Sequence, residues 1–190
     1  SLIDLGDGVL CLEFHSKMNT IGLETIQMIG EGFKIMQANF VGMVIGNQGP
    51  NFSVGADLML ILVKAQDQKW NEIEDMISAF QVANMKIKYS AMPVVVAPFG
   101  LTLGGGCEIA LHAARQQAAA ETYMGLVELG VGLIPAAGGS KEMVLRSMEK
   151  AETIDQFFPH LRKSFETIAM ARVSTSGLEA QKMCFMRSND

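Results

Sequence analysis

The stretch from Gly100 to Gly139 constrains the fold and the chemistry of this chain most strongly. It contains a turn of consecutive glycines, Gly104 to Gly106, followed by an apolar segment of helical length, Cys107 to Ala114. Glycine lets backbone N–H groups approach a ligand without hindrance from a Cβ atom. A helix that begins at such a turn adds positive potential at the same place. The pattern therefore predicts a site that stabilises an anionic oxygen, although tight packing of the helix is an equally good explanation of a glycine run.

Two glutamates accompany the glycine turn. Glu108 falls in the first turn of the predicted helix, close to the N–H donors, and Glu128 lies within an apolar frame, Met124 to Val131. Burial raises the pKa of a carboxyl group toward the range that is useful for proton transfer. Each glutamate alone is typical of a surface acid, but together with the glycine turn they predict an acid/base pair. An isolated histidine such as His112 is more often structural than functional; as the alternative, His112 follows Glu108 by one helical turn and would orient this glutamate.

Strands and helices alternate before this stretch. Turn chemistry at Gly6-Asp7-Gly8 predicts a β-hairpin, and helical periodicity predicts two long helices. The predicted elements are strands Leu2–Leu5, Val9–Phe14, Phe40–Ile45 and Val94–Ala97, and helices 22–37 and 67–89. This order predicts a single α/β domain with parallel crossovers, spanning residues 1–190.

After the glycine turn the pattern is weaker. We expect a short strand, a long loop, a helix that Ser140 caps, a connector, a further helix and a last short helix with the capping-box sequence of Ser176 to Glu179. The corresponding ranges are 116–120, 121–139, 140–148, 149–163, about 165–172 and 177–183.

Composition excludes several classes of function. Hydrophobic residues make up 49% of the chain and charged residues 18%, which predicts a large core or a subunit interface. No apolar run reaches the roughly 18 residues of a membrane span, and the N-terminus lacks a signal-peptide pattern, so we expect a cytoplasmic protein without a membrane partner. The cysteines Cys11, Cys107 and Cys184 form no CxxC pair and are expected to be reduced. A net charge of −5 without a basic cluster argues against nucleic acid.

The sequence gives little indication of a metal site or a nucleotide-binding site. No cluster of histidines, cysteines and carboxylates has ligand spacing, so no metal site is predicted. Gly130 to Pro135 departs from the GxGxxG pattern at its last position and lacks a strand-turn-helix context, which argues against dinucleotide binding.

Three motifs in order resemble those of the crotonase (enoyl-CoA hydratase/isomerase) superfamily, over about residues 8 to 148. Phe52–Leu58 is similar to its first oxyanion-hole motif, Leu103–Ala110 to its second, and Gly125–Gly139 to the segment with its other catalytic glutamate. Two further segments, His15–Asn19 and Ala120–Glu128, resemble the hydratase part of bacterial bifunctional 3-hydroxyacyl-CoA dehydrogenases.

The resemblance implies a β-β-α spiral fold with an acyl-CoA thioester lying across it. The N–H groups of Ala56 and Gly105 would then bind the thioester oxygen. Glu108 and Glu128 would hold the water that adds across the double bond, with Glu128 exchanging the proton at the α-carbon and Glu108 assisting at the β-carbon.

The resemblance also implies a wider binding site. Lys17 and Met18 would contact coenzyme A, and Asp57, Leu58 and Gly104 would bind the substrate. The domain would need no cofactor of its own, since the substrate carries coenzyme A. NAD would be used only by a covalently linked dehydrogenase part outside this chain.

Some features depart from the family pattern. Leu126-Val127 replaces a polar residue and proline before the second glutamate, and Gln116-Gln117 interrupts a usually apolar strand. The chain ends before the C-terminal helices with which many members cover the acyl site and trimerise. We therefore expect an excised domain of a longer multifunctional chain, and homo-oligomerisation stays open.

Three functions are compatible with this interpretation of the sequence. The first is hydration of trans-2-enoyl-CoA to 3-hydroxyacyl-CoA in fatty-acid β-oxidation, favoured by the presence of two glutamates. The second is a non-catalytic acyl-CoA-binding module of a bifunctional dehydrogenase, and the third is an enoyl-CoA isomerase. The length of the acyl chain is not specified by the sequence.

Overall fold

Two β-sheets and seven helices form the structure, a computed structural model that describes residues 1–190. The strands are β1 (Leu2–Asp4), β2 (Val9–Leu12), β3 (Gly42–Ile45), β4 (Val94–Val96), β5 (Gly100–Leu103), β6 (Arg115–Gln116) and β7 (Thr122–Gly125). The helices are α1 (Leu23–Asn39), α2 (Leu58–Gln66), α3 (Trp70–Lys88), α4 (Gly105–His112), α5 (Gly139–Glu149), α6 (Ile154–Ala169) and α7 (Gly177–Lys182). One sheet has the order β1-β2-β3-β4-β6, and the other pairs β5 with β7.

The larger sheet confirms the predicted hairpin and the parallel crossovers. β1 and β2 pair antiparallel, with Ile3 opposite Cys11, and the turn between them uses left-handed backbone at Gly6 and Gly8 (φ 85° and 76°). β2, β3, β4 and β6 then run parallel to one another. Parallel neighbours need long connections, which α1 and α3 supply between β2 and β4.

Burial explains why the central strands have apolar runs. The side chains of β2, β3 and β4 that face the core are at most 2% exposed: Leu10, Leu12, Met43, Ile45, Val94 and Val96. Helix α1 covers this sheet with Ile29, Phe33 and Met36, which recur at the spacing of one helical face. The core thus forms between the sheet and the helices that connect its strands.

The smaller sheet was not predicted. We expected Gly100 to close the preceding strand and residues 121–139 to be mostly loop, but β5 and β7 pair in parallel, with Gly100 opposite Thr122 and Leu103 opposite Gly125. Both strands are four residues long and contain glycine, which is a weak strand former. Their pairing partner lies far along the chain, so local sequence carries little signal for it. The observed β6 is also shorter than the predicted strand 116–120.

Helix α6 corrects a second prediction. Residues 149–163 were expected to connect two helices, because Pro159 and mixed periodicity argue against a helix there. The structure instead contains a helix that begins after Thr153, whose hydroxyl accepts a hydrogen bond from the N–H of Gln156. Its buried face carries small polar side chains, and Ser164 Oγ lies 2.8 Å from Ser147 Oγ of α5. Phe158 and Phe165 are exposed, whereas Ile168 packs against the core, so the apolar side chains lie only partly on the buried face of α6.

Pro159 should therefore weaken α6. A proline inside a helix removes one backbone hydrogen bond and crowds the preceding turn. Pro159→Ala is expected to raise the free energy of unfolding by about 1–3 kcal/mol, measured by urea denaturation. Pro50→Ala in an exposed loop is the control, because it shares the change in unfolded-state entropy without a helix. Equal effects of the two substitutions would contradict the prediction.

The C-terminal segment packs back on the larger sheet. Ser176 Oγ accepts a hydrogen bond from the N–H of Glu179 at 3.1 Å, which confirms the predicted cap of α7. The side chain of Gln116 is buried and donates to the carbonyl of Phe185 at 2.9 Å. The polar residue that interrupts the last strand thus binds the end of the chain.

The cysteines are unpaired, and all of them are buried. None of the helices combines the length and apolarity that crossing a lipid bilayer requires.

Candidate active site

A cavity of about 270 Å³ lies where α2, α3 and the start of α4 meet the turn after β7. Most of its wall is apolar, and two carboxyl side chains, Glu108 and Glu128, are its only charged lining groups. The apolar wall includes Ile21, Ile26, Ile61, Ile73, Met76, Ile77, Phe80, Val131, Leu133 and Ile134. Such a cavity suits an apolar ligand that brings its reacting group to the carboxyl groups.

The glycine turn places the beginning of α4 at this cavity. Gly104 precedes the helix with φ 50° and ψ −123°, and no side chain caps the helix there. The first N–H groups of a helix have no intrahelical acceptor, so the N–H of Gly105 is available to a ligand. Gly106 has a packing role, because a Cβ atom at this position would lie 2.7 Å from Ser53 Cβ. The glycine run therefore serves both packing and access.

Ala56 brings a second N–H group to the same wall. The flanking residues are held by backbone hydrogen bonds, from Ile21 N–H to the Gly55 carbonyl at 2.8 Å and from Asp57 N–H to the Ile21 carbonyl at 3.3 Å. The N–H of Ala56 itself makes no hydrogen bond within the chain. A Cβ atom on Gly55 would lie 3.3 Å from the nitrogen of Gly105, so the two segments are in close contact.

Glu108 extends from the first turn of α4 into the cavity wall and is only 3% exposed. Its Oε1 accepts a hydrogen bond from the N–H of Gly139 at 2.8 Å. Burial and the neighbouring Glu128 raise the pKa of Glu108 to about 8, against the opposing effect of the N–H groups of Gly139 and Ala137. This carboxyl group can hold a proton at neutral pH.

Glu128 begins a 3₁₀ turn, Glu128–Val131, directly after β7. Both carboxyl oxygens are shielded from solvent, and neither has a hydrogen-bond partner. Burial raises the pKa of Glu128 to about 7, opposed by its own backbone N–H. A Cβ atom on Gly104 would lie 3.4 Å from Glu128 Oε1, so this carboxyl group borders the glycine turn.

The two carboxyl groups titrate as a pair. Interacting acids lose their protons in steps that belong to the pair rather than to either residue. With pKa values of about 8 for Glu108 and 7 for Glu128, the pair retains roughly one proton near neutral pH. One carboxylate and one carboxylic acid beside the same cavity can serve as a base and an acid.

Of the other predicted site residues, the structure places some in the cavity wall and others away from it. Leu58 and Gly104 line the cavity together with Ala56 and Gly105, whereas Asp57 does not. The carboxylate of Asp57 instead caps α2, accepting hydrogen bonds from the N–H groups of its second and third residues at 3.1 and 3.2 Å.

Lys17 and Met18 also lie outside the cavity wall; both are exposed residues of a 3₁₀ turn, Lys17–Asn19. The carbonyl of Met18 accepts a hydrogen bond from the N–H of Val54 at 3.4 Å. This turn therefore borders the loop that contains Ala56. Contacts of Lys17 and Met18 with coenzyme A stay a prediction.

His112 does not orient the Glu108 carboxyl group. Its Nδ1 lies 2.7 Å from the main-chain carbonyl of Glu108, and its Nε2 lies 3.1 Å from Lys141 Nζ. Burial lowers the pKa of His112 to about 4. The orienting contact comes from Gly139 instead, which the sequence indicated only as the end of a glycine pair before a predicted helix.

The family model described as enoyl-CoA hydratase/isomerase matches residues 8–158, which are most of the chain. The chain belongs to this family. The resemblance seen in its three motifs is thereby confirmed.

Two relatives are much longer than this chain. The "Probable 3-hydroxyacyl-CoA dehydrogenase" of Bacillus subtilis is 55% identical over 190 residues, which are all of this chain and 24% of that protein. The "Putative fatty acid oxidation complex trifunctional enzyme" of Rickettsia felis is 37% identical over 132 residues, 70% of this chain and 18% of that protein. The chain thus spans a quarter or less of the length of these curated relatives.

Solved structures establish the crotonase fold. The enoyl-CoA hydratase from Polaromonas sp. JS666 matches with a TM-score of 0.81 and 18% identity, over 98% of this chain and 68% of that one. The enoyl-CoA hydratase from Bacillus anthracis matches with a TM-score of 0.74 and 21% identity, over 98% of this chain and 67% of that one. The predicted crotonase-type α/β fold is confirmed.

Proposed function

We propose that this chain catalyses the addition of water to trans-2-enoyl-CoA, which yields 3-hydroxyacyl-CoA in fatty-acid β-oxidation. The observation that carries the proposal is the presence of two buried carboxyl groups, Glu108 and Glu128, on one apolar cavity wall beside an unpaired N–H group at Ala56. Hydration needs a base for water, an acid for carbon and a donor for the carbonyl oxygen, and these groups match that need.

The N–H groups of Ala56 and Gly105 would bind the thioester oxygen. Negative charge accumulates on this oxygen when water adds to the β-carbon, because the double bond and carbonyl group become an enolate. Donors that are already in place stabilise this charge without reorganisation, and the loss of one typically costs about 2.7–4 kcal/mol of transition-state stabilisation.

The glutamate pair would move the protons. Water gives one proton to the Glu108 carboxylate as its oxygen bonds to the β-carbon, and the Glu128 carboxyl group delivers a proton to the α-carbon. One proton enters the pair and one leaves it, so the pair ends with its single proton on Glu108. The higher pKa of Glu108 favours the proton on that residue, so a proton transfer from Glu108 to Glu128 precedes each addition and restores the reactive arrangement.

The wall of the cavity supports an aliphatic acyl group. Its lining is apolar apart from the two glutamates, so the hydrocarbon chain would be buried without unpaired polar atoms. Leu58 lies in this wall, and Lys17 and Met18 in the bordering turn would contact coenzyme A. No cofactor is needed for these steps.

The names of the relatives support a role within a longer protein. The Bacillus subtilis relative bears the name "Probable 3-hydroxyacyl-CoA dehydrogenase", and the product of the proposed hydration is a 3-hydroxyacyl-CoA. We therefore place this domain beside a covalently linked, NAD-dependent dehydrogenase that would oxidise its product.

The test is turnover of trans-2-enoyl-CoA substrates of several chain lengths by the purified protein. Loss of enoyl absorbance together with the gain of one water in the product, seen by mass spectrometry, is the expected result. Conversion of a cis-3-enoyl-CoA without a change in mass, and no hydration, would replace the proposal by isomerisation. Calorimetric binding without either reaction would replace it by the acyl-CoA-binding module.

A further inference from the structure

A polar stripe on α3 contacts the segment that carries Gly139. The stripe consists of Gln81, Asn84 and Lys88, which recur at spacings of three and four and so share one helical face. Gln81 donates to the carbonyl of Ala136 at 2.7 Å, and Asn84 donates to the carbonyl of Ala137 at 2.9 Å. Lys88 donates to both carboxylate oxygens of Glu142 at 2.7 Å.

The segment held by this stripe surrounds the Glu108 carboxyl group. The N–H of Gly139 donates to Glu108 Oε1 at 2.8 Å, and the N–H of Ala137 also favours the charged form of this group. Ala137, whose carbonyl accepts from Asn84, thus lies two residues before the Gly139 N–H that contacts Glu108. A Cβ atom on Gly139 would lie 3.0 Å from Glu108 Oε1, which shows how closely the segment approaches the carboxyl group.

Asn84 differs from its two neighbours in the stripe because it is completely buried. Its Oδ1 has no hydrogen-bond partner, so the side chain leaves a buried acceptor unsatisfied. Such a group costs free energy, and an apolar side chain of the same branching would avoid the cost. What the amide provides at this position is its one hydrogen bond to Ala137.

We infer that Asn84 is a positioning residue for Glu108: its hydrogen bond to the Ala137 carbonyl fixes the segment whose Gly139 N–H holds the Glu108 carboxyl group. Its effect on turnover rests on the proposed function, whereas its effect on the carboxyl group does not. The same helix lines the acyl cavity through Met76 and Phe80, so one rigid element contacts both the cavity and the support of Glu108.

The charged surroundings of Glu108 are limited. Glu128 lines the same cavity, and the side chains of Lys88, Lys141 and His112 cluster around the Glu142 carboxylate. Asn84 is neutral, so removing its amide changes the geometry of the supporting N–H groups without removing a charge. A change in the titration of Glu108 would then report that geometry.

Asn84→Leu tests the inference by two measurements. The first is the pKa of Glu108 from carboxyl ¹³C NMR, with the signal assigned by its loss in Glu108→Gln. We expect this pKa to rise by about one unit, because relaxed N–H donors stabilise the carboxylate less. The second is turnover, for which we expect kcat to fall about tenfold or more with little change in KM, since a small displacement of a reacting group is costly.

Asn71→Leu is the matched control, because Asn71 is an exposed asparagine on the same helix without contact to the segment. We expect it to leave both quantities unchanged. Gln81→Ala should have a smaller effect than Asn84→Leu, since water can replace an exposed donor. If Asn84→Leu does not fold, Asn84→Ser takes its place, because its hydroxyl is too short to reach Ala137.

An unchanged Glu108 pKa in a folded Asn84 variant would overturn the inference, even if turnover fell. Absence of hydratase activity in the unaltered protein would instead overturn the proposed function, and the NMR titration would still decide the role of Asn84. The two failures are therefore distinguishable.

Discussion

Glu128→Gln is expected to lower kcat for enoyl-CoA hydration by about 10²–10⁴-fold, the usual contribution of a general acid or base. The glutamine amide has a similar shape but cannot deliver a proton to the α-carbon. Both oxygens of Glu128 lack partners within the chain, so the substitution breaks no hydrogen bond of the folded protein. Glu108→Gln should cause a loss of similar size, because the Gly139 N–H still finds an oxygen acceptor while the base for water is gone.

The measurement is steady-state hydration of crotonyl-CoA, with calorimetry to follow substrate binding. Glu121→Gln is the matched control, because Glu121 is exposed and its side chain hydrogen-bonds only to the Tyr123 hydroxyl. We expect this control to keep the full rate, and the two site variants to keep binding. Hydration that survives in both Glu108→Gln and Glu128→Gln would show that these carboxyl groups do not carry the chemistry.

Glu108→Gln is also expected to stabilise the fold at alkaline pH, by several kcal/mol at pH 8.5. Burial, with a further contribution from Glu128, raises the pKa of Glu108 from its ordinary value of 4.5 to about 8 in the folded protein. Between these values the folded state binds more protons than the unfolded state, so stability falls as pH rises through this window. Below pH 4.5 the carboxyl group is protonated in both states and the penalty vanishes.

Urea denaturation of both proteins at pH 5 and pH 8.5 tests the second prediction. The free energy of unfolding of Glu108→Gln should exceed that of the unaltered protein most at pH 8.5. Glu142→Gln is a control of opposite sign: burial alone would raise the pKa of Glu142, but hydrogen bonds from Lys141 and Lys88 lower it overall. This carboxylate stabilises the fold above its ordinary pKa, so its loss should destabilise the protein at pH 8.5. A stability difference for Glu108→Gln that does not change with pH would contradict the prediction.

Local signals in the sequence predicted the parts of the fold that depend on neighbours in the chain. Gly6 and Gly8 indicated the hairpin because only a left-handed turn fits between the two strands, and Ser176 indicated the cap of α7. The pairing of β5 with β7 depends on a partner strand elsewhere in the chain, and the helix around Pro159 has a buried face that is only partly apolar. Such elements leave little trace in local composition.

The candidate site likewise has features that the sequence predicted and features that it did not. The three motifs pointed to Ala56, Gly105, Glu108 and Glu128, and the structure brings all four to one cavity. Their chemical roles stay predictions. The sequence did not predict the direction of each side chain: Asp57, next to Ala56, caps α2 and does not point into the cavity.

Long-range hydrogen bonds between side chains and the backbone were not predicted. Asn84 and Ala137 are 53 residues apart, and neither has a distinctive sequence context. The amide of Asn84 can form this hydrogen bond only because α3 lies beside the segment before α5. Hydrogen bonds of this kind follow from the packing of elements, which a pattern of residue types within one element does not encode.

The buried face of α6 has a consequence for how the protein moves. Its fully buried side chains are the small polar Ser164 and Thr167, and Ile168 is only partly buried, so α6 buries less apolar surface than α1 does with Ile29, Phe33 and Met36. Separating α6 from α5 therefore exposes less new hydrocarbon to water. Local opening of α6 requires less free energy than global unfolding, so this helix can exchange its amide hydrogens while the sheet and the carboxyl pair remain intact.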